Sequence, residues 1–206
     1  MSTYLDRAIA DVQKELRSHG LSNLVWWVDL EIDYSLLGQH EAFGWYCDHT
    51  ITIPRLAVTL ANSWTNLKAR LGVEGSPMHS LRDVIRHEYG HALRDALGQL
   101  DRSSPLWGVA PCVSGYAAEQ ATRVGRADED FAEVFMFYLK STRKRSSIAA
   151  HPLMRAKWKA MQLAIKQGGR RKLKAEVPCP SCAVQLTALT GTISECPDCG
   201  TTVDLS

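Results

Sequence analysis

The sequence predicts a mixed α+β protein with one main domain and a small C-terminal appendage. At 206 residues, the chain is long enough for one hydrophobic core and a minor second unit. Segments with helical periodicity alternate with two short stretches of strand composition, and four cysteines form two Cys-x-x-Cys pairs near the C-terminus. We therefore expect a main domain at residues 1–167, a basic linker at 168–175 and a four-cysteine appendage at 176–206.

The first half of the chain contains four predicted elements. Residues 3–19 have apolar side chains at helical spacing before a glycine, which predicts an amphipathic helix. Residues 24–32 are rich in valine, isoleucine and tryptophan, which favours a strand. A second strand, with a bend at Asp48-His49, is predicted at residues 43–54, where Pro54 indicates an edge strand or a strand end. Residues 56–71 are predicted to be helical.

The clearest helix of the sequence is predicted at residues 80–98. Ser80 and Asp83 form a capping-box pattern at its start, and Gly98 ends it. The stretch that follows, residues 101–115, has the composition of a loop. Two further helices are predicted at residues 128–140 and from Pro152 onward, and a basic, glycine-interrupted linker is predicted at residues 167–174.

The helix at residues 80–98 carries an H-E-x-x-H motif. Its two histidines, His87 and His91, are four residues apart and therefore lie on one helical face, where both can bind one metal ion. Glu88 would lean over the open coordination position and act as the general base. This pattern is typical of a catalytic zinc site, which needs three protein ligands.

The third ligand is predicted to be Glu129. Its helix also carries Glu133 one turn later on the same face, so Glu129 would bind the metal while Glu133 accepts a hydrogen bond from the far nitrogen of a ligating histidine. Asp130 and Glu133 remain alternatives for the third ligand.

The combination of H-E-x-G-H, Ser-Gly-Tyr-Ala and E-D-F-A-E-x-F between residues 80 and 140 resembles small gluzincins (minigluzincins) related to the lethal-factor catalytic domain. It is similar in particular to bacterial zinc-binding metallopeptidases that also carry a zinc ribbon. The resemblance implies a zincin-like domain with a small twisted sheet and an H-E-x-x-H active-site helix. It also implies that Glu129 is the third ligand and that Tyr116 donates a hydrogen bond to the developing oxyanion.

The activity implied is zinc-dependent hydrolysis of peptide bonds, with Glu88 as general base and Tyr116 as oxyanion donor. The strand near residues 51–54, as an edge strand, would hold an extended substrate by strand addition. The alternative is an inactive protein that binds zinc only as a scaffold. The presence of Glu88 argues against it, because a structural site would not need a general base.

The four clustered cysteines predict a second, structural zinc site. Two Cys-x-x-Cys pairs separated by thirteen residues are typical of a zinc ribbon, and about 30 residues are too few to fold on a hydrophobic core alone. The expected cofactors are thus two zinc ions, one catalytic and one structural. The ligands of the structural ion would be Cys179, Cys182, Cys196 and Cys199. In the resembling proteins the ribbon often precedes the peptidase domain, so its role does not carry over.

Charge is unevenly distributed along the chain. Residues 140–174 hold 12 of the 24 lysines and arginines and no acid. Such a segment before a zinc ribbon indicates a nucleic-acid or acidic partner, or a basic helix that lies on the acidic body of its own chain. The alternative function is therefore a nucleic-acid-associated zinc-ribbon protein, either an adaptor or a SprT-like protease that acts on DNA-bound protein.

The cellular compartment is predicted from the absence of a long apolar stretch or a signal-peptide pattern in the sequence, and from the spacing of its cysteines. No stretch approaches 18 consecutive apolar residues, and the first 20 residues carry charges throughout, unlike a signal peptide. Cysteines at metal spacing suit a reducing compartment. We expect a cytoplasmic protein that acts on protein or peptide substrates and has no membrane partner.

Overall fold

The computed structural model describes seven stretches of the chain: residues 4–33, 44–54, 80–98, 105–123, 125–140, 151–190 and 192–204. Within them the fold is mixed α+β, as predicted, with six helices and three small sheets. The helices are α1 (Tyr4–Ser18), α2 (Ser22–Trp27), α3 (Leu81–Leu97), α4 (Gly115–Arg123), α5 (Asp128–Lys140) and α6 (Pro152–Gly168). The strands are β1 (Asp29–Asp33), β2 (Trp45–Cys47), β3 (Thr50–Pro54), β4 (Lys174–Pro178), β5 (Gln185–Leu189), β6 (Ile193–Glu195) and β7 (Thr202–Asp204).

The largest sheet has β3 at its centre, with β1 parallel on one side and β2 antiparallel on the other. Ile51 and Ile53 of β3 are fully buried and connect the sheet to the main core. A two-residue turn at Asp48 and His49 joins β2 to β3, and both residues have positive φ, which matches the twist of a tight hairpin.

Two strand predictions differ from the structure. The second half of the strand predicted at residues 24–32 is confirmed by β1. The first half lies in Ser22–Trp27, which is helical because its buried face of Asn23, Leu24 and Val25 packs into the core, and burial overrides the strand preference of its residues. The predicted strand at 43–54 is instead the β2–β3 hairpin. Because β3 is the central strand, paired with β1 along its length and with β2 at residues 50–52, it is not an edge strand, and Pro54 marks its end. The helix predicted at residues 56–71 lies outside the described part of the chain.

Helix α3 occupies the centre of the main domain and contacts α1, α5, α6 and the sheet. Ser80 caps it by accepting a hydrogen bond from the Asp83 amide, and Gly98 ends it at a φ of 67°, as predicted. A β-carbon added at Gly90 would lie only 2.7 Å from the Cα atom of Ala132 on α5. Glycine at this position thus permits the backbones of α3 and α5 to approach closely.

The appendage consists of the two hairpins β4–β5 and β6–β7 around a small core of its own. The segment that leads into it is attached to the main domain. The Asn23 side chain donates to the carbonyls of Gly168 and Arg171 at 2.6 and 2.8 Å, and the Arg171 guanidinium donates to the Leu97 carbonyl at the end of α3 at 3.0 Å. Residues 169–173 of the predicted linker are therefore held against the main domain, and we call them the strap.

Among the helices that the structure describes, none combines the length and hydropathy needed to span a bilayer.

Candidate metal centres

Helices α3 and α5 bring three potential ligand atoms together. The Nε2 atoms of His87 and His91 are 3.1 Å apart, and the Glu129 Oε2 atom lies 3.2 Å from the first and 3.7 Å from the second. His87 and Glu129 are buried, and His91 is partly exposed. The structure thus brings the two motif histidines together with the carboxylate predicted as the third ligand, 42 residues away in sequence from His87.

These separations fit a tetrahedral zinc ion. Bonds of about 2.0–2.1 Å from zinc to nitrogen or oxygen place the ligand atoms roughly 3.3–3.4 Å apart in a tetrahedron. The three measured distances bracket that value, and two imidazoles with one carboxylate are a ligand set that zinc accepts. The residues present therefore fit the metal implied by the motif.

The two oxygens of Glu129 have different partners. Oε2 faces the histidines, whereas Oε1 lies 3.0 Å from the Arg126 guanidinium, which also pairs with Asp128 at 3.1 Å. Burial raises the pKa of Glu129, but hydrogen bonds with His87 and His91 outweigh burial and hold that pKa well below its usual range. Glu129 is therefore ionised and ready to bind a cation.

Arg126 was missed by the sequence analysis. The signal that could have found it is its spacing from Glu129, because residues three apart around a helix start are neighbours.

Glu88 lies in the same site and is almost completely buried, with 5% of its surface exposed. Burial raises the pKa of this carboxyl group to about 7, while the charge of His87 and a hydrogen bond from the Tyr46 backbone act in the opposite direction. A carboxyl group poised near neutrality suits the exchange of a proton. The contact with Tyr46 also places Glu88 beside strand β2.

Glu133 does not orient a histidine as predicted. Both of its oxygens accept hydrogen bonds from the Ser114 hydroxyl, at 2.8 and 2.6 Å, while His87 Nδ1 has no hydrogen-bond partner among the described residues. Ser114 in turn accepts a hydrogen bond from the Ala117 amide at 3.1 Å and so caps helix α4. Glu133 therefore anchors the start of α4 to α5.

Tyr116 lies in the first turn of α4, which the sequence analysis had not recognised as a helix. The side chain is about half buried, and its hydroxyl interacts electrostatically with Glu129, Arg126, Glu133 and Glu88. Burial and the nearby carboxylates raise the pKa of Tyr116 to about 12, so the hydroxyl keeps its proton. The structure thus places Tyr116 close enough to Glu129 and Glu88 to interact with them electrostatically.

Asp130, an alternative third ligand, is engaged elsewhere. Its Oδ2 atom forms a fully buried ion pair with Lys157 of α6 at 2.6 Å and accepts the Gly108 amide at 2.9 Å. Lys157 also donates to the carbonyls of Val109 and Pro111 at 2.7 and 2.9 Å. This cluster fixes the loop that precedes Ser114 and α4.

The second site consists of four cysteine thiols in the appendage, whose Sγ atoms all lie within 4.8 Å of one another. The Sγ atoms of Cys179 and Cys199 are 3.5 Å apart, and those of Cys182 and Cys196 are 3.6 Å apart. Zinc–sulfur bonds of about 2.3 Å would give a separation of roughly 3.8 Å in a tetrahedron, so the cluster fits zinc closely.

Each Cys-x-x-Cys pair forms a tight turn. The amides of Ala183 and Gly200 donate to the carbonyls of Cys179 and Cys196, both at 2.9 Å, and both residues have positive φ. The two turns present their thiols to a common centre, as a zinc ribbon requires.

Comparisons of the chain with protein families, with curated proteins and with solved structures return no match.

Proposed function

We propose that this protein is a zinc-dependent metallopeptidase of the gluzincin type. The observation that carries the proposal is the convergence of His87, His91 and Glu129 on one point beside the buried carboxyl group of Glu88. A structural zinc site closes all four positions with protein ligands, whereas this group offers three and adds a proton acceptor. The second, four-cysteine site would hold a structural zinc ion.

When bound to the three ligands, zinc supplies a Lewis acid that polarises a peptide carbonyl and acidifies water. The protein's own groups supply the proton transfers. Glu88 accepts the proton of the attacking water and returns it to the leaving amine, because its burial makes the neutral and ionised forms similar in free energy. A nearby cation would favour the ionised form, which is the form that accepts a proton.

Tyr116 supplies a donor for the negative charge that develops on the carbonyl oxygen. Its raised pKa keeps the hydroxyl protonated throughout the neutral range, so it can donate a hydrogen bond there. The contact between Glu133 and Ser114 fixes the helix start that carries this tyrosine.

The substrate would bind as an extended strand along β2. This strand has one partner among the described strands, β3, and the backbone of Tyr46 in β2 contacts Glu88. An added peptide strand would therefore pass close to the proton acceptor and the metal ligands.

The test is cleavage of a peptide library by the full-length protein, read out by mass spectrometry. Glu88→Gln should retain zinc and fold but lose hydrolysis, since it removes a proton acceptor and no ligand. Glu176→Gln, at an exposed position on β4, is the matched control and should cleave like the parent. Equal cleavage by Glu88→Gln and the parent, or no cleavage by a zinc-loaded parent, would refute the proposal.

A further inference from the structure

The basic segment at residues 140–174 separates into two groups of side chains in the structure. Nine of its bases lie in the described residues, and three of them bind the chain itself. Lys140 pairs with Asp83 at 2.8 Å, Lys157 with Asp130 at 2.6 Å, and Arg171 donates to the Leu97 carbonyl. Contacts within the chain thus account for a third of the nine described bases, and the other six remain available to bind a partner.

The remaining bases are all exposed, and within the described part of the chain none pairs with a carboxylate. Three of them, Arg155, Lys159 and Lys166, lie on α6 within a sector of about 40° at 100° per residue, spread over roughly 16 Å of helix. The other three, Arg170, Lys172 and Lys174, continue from the helix end into the strap and β4. We name these six residues the basic stripe.

The zinc ribbon does not extend this surface. Residues 175–206 contain no lysine or arginine and carry four acids: Glu176, Glu195, Asp198 and Asp204. A four-thiolate zinc site would add further negative charge. The ribbon would therefore repel a polyanion, and the attractive surface is confined to α6 and the strap.

The chemistry of the stripe favours a nucleic-acid duplex over other anionic partners. A membrane-binding helix inserts an exposed apolar face, whereas the apolar face of α6, with Met161 and Ile165, is buried in the core. Proteins bind single-stranded nucleic acid through exposed aromatic side chains that stack on the bases. The aromatic residue of α6, Trp158, instead packs on Tyr138, with ring centroids 4.8 Å apart. One large apolar side chain of α6, Leu163, is exposed, and one such side chain is too little to anchor a helix in a membrane. The row of bases instead matches the regular phosphates of a duplex.

We infer that the basic stripe binds the phosphate backbone of double-stranded nucleic acid independently of sequence, as a function separate from the proposed peptidase activity. The proposal concerns side chains on the side of α6 that faces away from the core. The zinc ligands lie on α3 and α5, so the two functions can be tested apart.

Binding of the full-length protein to a fluorescent DNA duplex of about 20 base pairs, followed by anisotropy, tests the inference. Six phosphate contacts predict a slope of log affinity against log salt of about −5, and hence a roughly 1000-fold loss of affinity between 50 and 200 mM salt. The triple variant Arg155→Gln, Lys159→Gln, Lys166→Gln should halve this slope. Glu88→Gln should bind DNA like the parent.

The matched control removes three exposed bases from α1 by the changes Arg7→Gln, Lys14→Gln and Arg17→Gln, and should leave the slope unchanged. Thermal unfolding of both triple variants verifies their fold. If the stripe variant fails to fold, the double variant Lys172→Gln, Lys174→Gln is used instead. It should reduce the magnitude of the slope by about 2.

Absence of duplex binding at 50 mM salt, or an equal loss in the control variant, would overturn the inference. Polyglutamate that binds as tightly as the duplex would show that the stripe recognises acidic proteins. Tighter binding of single strands than of the duplex would contradict the assignment to double-stranded nucleic acid.

Discussion

The two oxygens of the Glu129 carboxylate have different surroundings: one faces the candidate metal site and the other binds a cationic side chain. Oε2 faces His87 and His91, and Oε1 is held by Arg126 at 3.0 Å. A carboxylate held in this way has one oxygen left for a metal ion, so it would bind through that oxygen alone. Arg126 also fixes the orientation of the ligand before the metal arrives, which lowers the ordering cost of binding.

Glu129→Ala should abolish metal binding at the histidine site. Arg126→Met should weaken that binding by about 10- to 100-fold, as is typical when a partner of a metal ligand is removed. Competition with a chelator, together with elemental analysis, measures both effects. Glu133→Ala is the matched control and should keep the metal. If Glu133→Ala loses zinc while Glu129→Ala keeps it, the third ligand is Glu133.

Tyr116→Phe should lower turnover by roughly 10- to 1000-fold with little change in the Michaelis constant, because the lost hydrogen bond forms only in the transition state. Steady-state kinetics on a cleaved library peptide measures the two parameters. An effect on the Michaelis constant alone would indicate a packing role. Ser114→Ala should also lower turnover, since it removes the cap of the helix that carries Tyr116.

Some residues of the candidate site were predictable from local spacing and some were not. The histidines follow from their separation of four residues on one helical face, whatever the remainder of the fold does. Glu129 required the resemblance as well, because a contact across 42 residues has no local signature. The partner of Glu133 was predicted wrongly, since the path of the loop carrying Ser114 depends on the buried Lys157.

At the scale of elements, the contact between α3 and α5 determines the geometry of the site. Gly90 lies between the two histidines in sequence, at a point where the backbones of the two helices are in close contact. Both histidines and Glu129 flank this point. The separation of the two helices therefore sets the distance between the histidine nitrogens and the carboxylate.

Gly90→Ala should force the two helices apart. Alanine gains about 1 kcal/mol of helix propensity over glycine, but overpacking costs about 1–3 kcal/mol, and the contact at 2.7 Å is with backbone that cannot rotate away. We expect a lower melting temperature and a weaker metal affinity. Gly115→Ala, which meets open space in helix α4, is the matched control and should change neither.

If Gly90→Ala binds zinc as tightly as the parent and melts at the same temperature, the close approach of α3 and α5 does not set the geometry of the site.

Elements with explicit end signals were predicted well. Ser80 and Gly98 delimit α3, and α5 was predicted with its observed bounds from the helical spacing of its apolar residues. Helix α2 was taken for a strand, since six residues are too few to display a helical period and their burial is a tertiary property. The break at Asp48-His49 was predicted only as a bend within one strand, because this turn lacks the glycine that usually marks positive φ.

At the scale of the whole molecule, the described residues form two separate hydrophobic cores, which are connected by the strap. Leu173 of the strap packs against the main core, and its amide and carbonyl both bond to Thr190 of the appendage at 2.8 Å. Arg171 and Asn23 attach the same strap to α3 and α2. The appendage is thus attached to the main domain, while we expect its own folding to depend on a metal ion bound by its four cysteines.

The final prediction separates the two metal sites. The parent should contain two zinc ions per chain, and Cys179→Ser should contain one, because a ribbon of about 30 residues cannot fold without its metal. The ion that remains should be the one at the histidine site, since its ligands lie on α3 and α5, whose apolar side chains form part of the main core. Elemental analysis of protein purified without added metal gives the stoichiometry.

Thermal unfolding should show the same separation of the two sites. Because the strap is attached by hydrogen bonds that need no ribbon, such as those of Asn23 and Arg171, loss of the ribbon should lower the melting temperature of the main domain only slightly. Glu129→Ala combined with Cys179→Ser should contain no zinc. A single variant, Cys179→Ser, that loses both ions would show that the ribbon is required to hold the histidine site together.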